Sequence, residues 1–256
     1  LTAVKLVTWN VNSLKMRLPR VLELLEQHSP DVVMLQETKC APEAFPATEL
    51  EAAGYRAVHH SGGRWAGVAL LAREELGDVS AGLPGEPAVD EARWIEATVA
   101  GVRVVSVYVP NGREPDTPTY ADKLRFLDAM AARIAELSSE PLVVAGDFNV
   151  CPADLDVYDP AAFVGATHVT QPERERFRAL LSAGTMDAFR ELHPDEPGFT
   201  WWDYRQGHFH RGLGLRIDAH LVSQPLSDKI QSCGIDRDFR KGTKPSDHAP
   251  LLLELD

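Results

Sequence analysis

Leu142-Val-Val-Ala-Gly-Asp-Phe-Asn149 is a short apolar run that ends in a carboxylate and an amide. Leu142–Ala145 is too short for a helix but suits a strand covered on both faces, stopping at Gly146–Asp147. The same construction recurs along the chain. Val7-Thr-Trp-Asn10 ends on an amide, Met34-Leu-Gln-Glu37 on a carboxylate, and Val107-Tyr108-Val-Pro-Asn111 on a phenol and an amide. Arg216-Ile-Asp218 carries an acid inside an apolar run, and Ser246-Asp247-His248 precedes the last one. Loops beyond strand ends converge while the strands hold them rigidly, so ligands collect there. Any one of these polar residues would suit a turn, a cap or a solvated loop. Six such clusters gathered at strand ends point to a site. Asp218 is the least ordinary, because an acid among apolar strand residues is buried and needs a partner.

Working outward, Val4–Trp9, Asp31–Gln36, Val68–Ala72, Trp94–Val99, Val102–Val109, Arg216–Val222 and Leu251–Leu253 read as further strands. The short turn at Ala100–Gly101 predicts a hairpin. Leu14, Leu18, Val21, Leu22 and Leu25 predict an amphipathic helix over 14–28, ended by Pro30. Tyr120, Leu124, Leu127, Ala131 and Ile134 predict a second. Thr170-Gln-Pro-Glu173 is a capping box with an early proline, and opens a helix to about Ser182 that Gly184 suits as C-terminal cap. Strands alternating with helices make an α/β protein. With no linker, low-complexity tract or tandem repeat, residues 1–256 read as one domain.

With 44% hydrophobic residues, 256 residues suffice for a full core. No run approaches the roughly 18 apolar residues of a membrane helix. Leu1–Asn10 lacks the basic region of a secretory signal, so secretion is not expected. Cys40, Cys151 and Cys233 are odd in number and form no Cys-x-x-Cys pair. That argues against a disulfide scaffold or zinc site and fits a reducing cytoplasm. The net charge of −12 opposes nucleic-acid binding by overall charge. Between Trp201 and His248, however, eight Lys/Arg face six Asp/Glu, while the helical segments are more acidic.

The residue types at the strand ends define a chemistry. Carboxylate and amide oxygens suit Mg2+ or Mn2+ and suit zinc poorly. A histidine beside one aspartate, with another available to orient it, is a general acid/base or phosphate contact. The chain has no Gly-x-x-x-x-Gly-Lys loop for a nucleoside triphosphate and no Gly-x-Ser-x-Gly elbow. Metal, histidine and oriented water point to hydrolysis of a phosphate ester.

The segments TWNVNSL, LQETK, GVALL, GDFN, WWDYR, LRID and KPSDHAP, in order from residue 8 to residue 250, resemble the exonuclease III family of AP endonucleases, bacterial type, within the endonuclease/exonuclease/phosphatase superfamily. The resemblance spans essentially the whole chain. It implies a DNase I-like fold, a four-layered α/β sandwich of two packed mixed β-sheets flanked by helices. It puts a divalent metal, Mg2+ with Mn2+ as substitute, on Glu37, with Asn10 and Asp247 near it. Asp147, followed by Asn149, looks like the group that aligns and deprotonates the attacking water, and in some readings binds a second metal. His248, counted with the metal site and as a phosphate contact, is held by Asp218. Tyr108 contacts the scissile phosphate as phenol or phenolate. Arg93 and Asn111 contact the DNA backbone, and Trp201, Leu215 and Ile217 match a pocket for a flipped-out baseless sugar. Asn12 stands where some relatives have Asp, and Leu215 where some have an aromatic.

The implied substrate is double-stranded DNA with an abasic site or a blocked 3′ end. The implied reaction cuts 5′ to the abasic site and leaves a 3′-hydroxyl, accompanied by 3′–5′ exonuclease and 3′-phosphatase work. A monomer in the cytoplasm, on the nucleoid during repair and away from membranes, completes the expectation. Two other readings stand beside it. A superfamily phosphoesterase acting on a non-DNA ester, such as a sphingomyelinase or inositol-phosphate phosphatase, shares the metal and histidine but not WWDYR. A DNA-binding module without catalysis conflicts with the expected residue type at every catalytic position. DNA binding at net charge −12 further requires that Arg93, Arg205, Arg216, Lys241 and Lys244 gather on the site face.

Overall fold

Alternate residues of the central strands feed different apolar layers, and this stacks the fold. In Val4–Asn10 (β1), Val32–Gln36 (β2) and Val68–Ala72 (β4), Leu6, Val32, Met34, Val68 and Leu70 point to one core. Val7, Val33, Leu35, Ala69 and Leu71 point to another, against the helix Leu14–His28 (α1). In Trp94–Val99 (β6), Val102–Tyr108 (β7) and Leu142–Asp147 (β8), Ile95, Ala97, Val104, Val143 and Ala145 share the first core. Val105, Val107, Leu142 and Val144 instead pack against Pro118–Leu137 (α3) and Gln171–Ser182 (α4). The layers are therefore helix, sheet, sheet, helix, in a computed structural model describing residues 3–62 and 64–256. Leu1 and Thr2, read with the first strand, lie outside the described residues.

The first sheet adds Arg56–His60 (β3), Ile230–Ile235 (β11) and Leu251–Leu255 (β12), in the order β11-β12-β1-β2-β4-β3. The second adds Gly77–Ala81 (β5), Thr185–Asp187 (β9) and Asp218–Ser223 (β10), in the order β5-β6-β7-β8-β10-β9. Each sheet is mixed, with one parallel pair: β1–β2 and β7–β8. Short helices Ala47–Ala52 (α2), Ala188–Leu192 (α5) and His208–Arg211 (α6) complete the fold. Among the described residues no helix is long and apolar enough to cross a membrane.

Local sequence signals explain several boundaries. Thr170 accepts from the Glu173 N–H while Glu173 accepts from the Thr170 N–H, the reciprocal capping box read from the sequence. Ala100 and Gly101, at φ 48° and 81°, make the β6–β7 hairpin turn. The strand read as Arg216–Val222 begins at Asp218 and runs to Ser223. Leu215 pairs in isolated bridges with Trp201 and Val157 instead, and Arg216 turns its side chain into a buried ion pair. The four strands that carry no clear apolar run, β3, β5, β9 and β11, are the four sheet edges.

Candidate active site

The two parallel pairs bring their C-terminal ends to one edge of the sandwich. Asn10 ends β1 and Glu37 follows β2, while Tyr108 ends β7 and Asp147 ends β8. Register sets Tyr108 beside Asp147, and Asp147 beside Asp218 on antiparallel β10. Gly146 permits this spacing: a Cβ there would lie 1.9 Å from the Val107 carbonyl oxygen. The loop before β12 delivers His248, whose carbonyl accepts from the Trp9 indole N–H at 3.0 Å. Glu37 and Asn149 both adopt left-handed backbone, φ 52° and 51°. Non-glycine residues pay for such conformations only where surrounding bonds fix them, as happens at functional sites.

Those bonds are present. The Asn10 amide donates to Glu37 Oε1 at 2.8 Å and to Asp147 Oδ2 at 3.0 Å, bridging the two sheets. The Asn149 N–H donates to Asp147 Oδ1 at 2.9 Å. His248 Nδ1 lies 2.8 Å from Asp218 Oδ2, and its Nε2 lies 3.7 Å from Asp147 Oδ2. Glu37, Asp147 and His248 each offer a ligand atom within 4.8 Å of the others.

The electrostatics are those of a site short of positive charge. Burial pushes the Asp147 carboxyl up to about 8; His248 opposes that rise, while Asp218 and Glu37 add to it. Burial alone would lower His248, but the Asp218 and Asp147 carboxylates raise it to about 10. Burial and the charges of Glu37 and Asp147 hold the Tyr108 phenol well above its ordinary range, against the Arg93 guanidinium. Of the two states left open by sequence, phenol or phenolate, these surroundings favour the phenol. The Lys39 ammonium sits 2.6 Å from Glu37 Oε2. Two facing carboxylates, one forced toward its neutral form, fit a divalent cation, whose charge would relieve their repulsion.

Several expected residues take different places. Asn10 Oδ1 accepts from the Asn12 N–H at 3.0 Å, so the amide turns its nitrogen, not its oxygen, toward the carboxylates. It bridges the candidate ligands Glu37 and Asp147 through that nitrogen. Asp247 lies outside the Glu37–Asp147–His248 group, with its two oxygens held by Asn12 Nδ2 at 3.1 Å and Trp201 Nε1 at 3.0 Å. Asn149 uses its side chain as a brace, donating to the Val109 carbonyl at 3.0 Å and accepting from Asn111 at 3.2 Å.

Arg93 is tied to Glu91, donates to the Tyr108 carbonyl at 3.3 Å and stacks on that ring with 4.7 Å to its centroid. It braces Tyr108. Leu215 and Ile217 are buried with Val157 and Cys151, and form a floor beneath half-buried Trp201 rather than an open wall. Arg216 does not reach the site face at all, being only 1% exposed and paired with Asp156 and Asp187 at 2.7 Å each. Arg205 and Lys241 are exposed but paired with Asp203 and Asp238.

Sequence reasoning passed over Lys39, although it stands inside LQETK, and His168. His168 Nδ1 bonds the Asn149 carbonyl at 2.6 Å, and burial with the Lys123 charge pushes its ring down to about 4. No spacing marks a histidine in an irregular loop. A cleft of about 360 Å3 opens beside the cluster, lined by Glu37, Lys39, exposed Trp65, Arg93, Tyr108 and Asn111 among others.

The chain matches the family model described as Endonuclease/Exonuclease/phosphatase family over residues 7–248. It is 33% identical over 270 residues to exodeoxyribonuclease III of Haemophilus influenzae, covering 98% of this chain and 99% of that protein. Among solved structures, the 3′ phosphatase NExo from Neisseria bound to product DNA hairpin superposes with TM-score 0.96 at 40% identity, covering 99% of each chain. An AP endonuclease from Archaeoglobus fulgidus superposes with TM-score 0.95 at 36% identity, again over 99% of each. The match runs from the first strand to His248 itself, and on it the chain belongs to the endonuclease/exonuclease/phosphatase family.

Proposed function

We propose that this chain is a divalent-metal-dependent DNA-repair phosphodiesterase, one domain acting as a monomer, that hydrolyses phosphate esters at the 3′-oxygen of deoxyribose in duplex DNA. The observation that carries the reading is Asp147, buried between the Asn149 N–H and the His248 ring and facing Glu37. Mg2+, or Mn2+ in its place, would be held by Glu37 and Asp147 and would neutralise charge on the phosphate oxygens.

The chain's own residues supply the rest. Asp147, aligned by Asn149, accepts a proton from the attacking water. The new P–O bond forms as the P–O3′ bond breaks, and the departing O3′ takes up a proton. His248, kept cationic by Asp218, and the Tyr108 phenol donate hydrogen bonds to the phosphate. At an internal abasic site this nicks the strand 5′ to the lesion and leaves a 3′-hydroxyl. At a terminal nucleotide the same step is 3′–5′ exonuclease work, and at a 3′-phosphate it is phosphatase work.

A weighting toward 3′-end work is a second reading. It is favoured by the 40% identity to a 3′ phosphatase against 36% to an AP endonuclease. It also fits the burial of Leu215 and Ile217 against Val157, Phe163 and Val169, which leaves neither side chain open to a ligand. Three matched duplexes, carrying an abasic site, a recessed 3′-hydroxyl or a 3′-phosphate, separate these activities. Hydrolysis of at least one, dependent on Mg2+ or Mn2+, is expected. No hydrolysis of any, with turnover of a phosphoinositide or sphingomyelin instead, would overturn the DNA reading.

A further inference from the structure

Lys123 stands on the apolar stripe of α3, between Tyr120 and Leu127, and is fully buried. A lysine there gives up its hydration, and burial lowers its pKa against the pull of Glu173. An apolar residue would fill the position at less cost, so the cation needs a reason to be present. Its contacts supply one. The ammonium donates to the Asn111 carbonyl at 3.1 Å, to the Asn149 carbonyl at 2.6 Å, to Thr167 Oγ1 at 3.3 Å and to the Glu173 carboxylate. Glu173 in turn accepts from Thr167 Oγ1 at 2.9 Å and from the His168 N–H at 3.0 Å, while serving the capping box of α4. One buried ion pair thus ties the loop after β7, the loop after β8 and the 167–168 segment. Gly112 keeps room for the stem: a Cβ there would lie 2.7 Å from Lys123 Cδ.

We propose that Lys123, with Glu173 as its counter-ion, is a positioning residue of the active site that holds the Asn111 and Asn149 carbonyls and thereby keeps the Asn149 N–H on Asp147. The inference rests on the reading that Asp147 and Asn149 serve hydrolysis. Fixing Asn149 at both its carbonyl and its N–H stabilises its left-handed backbone, on which the hydrogen bond to Asp147 depends. The role differs from packing, because it acts through two carbonyls that no apolar residue can hold.

The test compares wild type with Lys123→Met, which keeps an unbranched stem and loses the ammonium, and with Glu173→Gln, which keeps the shape. Hydrogen exchange is read on peptides spanning 109–113 and 147–151, and kcat and KM are measured on the best of the three duplexes. For Lys123→Met the expected result is faster exchange in both loops and a kcat lower by about ten- to a hundredfold, with KM within about threefold. Glu173→Gln should fall between it and wild type. Should Lys123→Met fail to fold, Glu173→Gln and the apolar pair Lys123→Met/Glu173→Met carry the same comparison. Unchanged exchange in the two loops, or a kcat within about twofold of wild type in a folded variant, overturns the proposal. If wild type hydrolyses none of the duplexes, the functional reading fails, and loop exchange still decides whether Lys123 holds the loops.

Discussion

Replacing Asp218 by Asn probes the charge that sits on His248. The change is nearly isosteric, and the site is buried, so its effect is electrostatic and orientational. Asp218 Oδ2 stands 2.8 Å from His248 Nδ1, and Asp218 is the largest of the groups that raise the imidazole from 6.5 to about 10. His220 shows what burial does without a carboxylate in contact: bonded to the Leu251 carbonyl at 3.0 Å, it is pushed down to about 4. Without the Asp218 charge, His248 retains only the Asp147 interaction at 3.7 Å and the more distant Asp247, against the same burial. Its pKa should then fall to about 6.5 or lower. At about pH 7.5 the protonated fraction drops from near unity to about a tenth or less. Together with the lost orientation, the rate should fall by about ten- to a hundredfold, and part of it should return below about pH 6.

The linkage sign follows. A raised histidine stabilises the fold fully below its unfolded value of 6.5, and that contribution is lost as pH rises through about 10. Wild type should therefore lose stability over that window, and Asp218→Asn should lose less. The assays are a single-turnover pH–rate profile and 15N NMR of the His248 ring. Asp218→Asn/His248→Ala should be little worse than His248→Ala alone. A rate for Asp218→Asn within about threefold of wild type at about pH 7.5, or a ring still protonated there, would refute the reasoning.

Other expectations follow from the same structure. Of the five cations expected on the site face, Arg216 is buried, Arg93, Arg205 and Lys241 are paired within the chain, and exposed Lys244 makes no ion pair among the described residues. The slope of log K against log salt should therefore be shallow, near −3, equivalent to about three contacts; a slope near −8 would contradict this. Trp201→Ala should weaken binding to abasic duplex by about tenfold or more while leaving intact duplex nearly unchanged. Equal losses on both would make Trp201 a packing residue and a brace for Asp247. His220, folded near 4 against 6.5 when free, withholds a proton that the unfolded chain binds, so stability should fall as pH drops from about 6.5 to 4. The loss is about 3 kcal/mol. Urea unfolding should show it in wild type and not in His220→Gln.

The central strands were legible because both their faces are largely buried, so each is a mostly apolar run, several with a polar end marked. The edges were not. β3, β5, β9 and β11 are half-exposed, and their mixed residues carry no period that local sequence can separate from loop. The site was legible where a residue type is anomalous for its place, as with the acid Asp218 in an apolar run, which does find its partner in His248. It was not legible where identity leaves the geometry open. An asparagine can offer oxygen or nitrogen, and only the Asn12 N–H on Asn10 Oδ1 decides which. An arginine within LRID reads equally as a surface cation or a buried one, until Asp156 and Asp187 are found around it. Lys123 did leave a signal, a charge on an apolar helical stripe, whose meaning needed the carbonyls that converge on it.

The most direct test of the metal-dependent site is single-turnover hydrolysis by chelator-stripped protein across a Mg2+ and Mn2+ titration, for wild type and Glu37→Gln. Wild type should be inactive without metal and active with it. Glu37→Gln should be slower by a hundredfold or more, on the order of what removing a charged metal ligand costs, and should recover partly at high metal. Full activity of wild type in excess chelator, or an unaltered metal dependence in Glu37→Gln, would contradict the assignment of Glu37, Asp147 and His248 as a metal-assisted hydrolytic site.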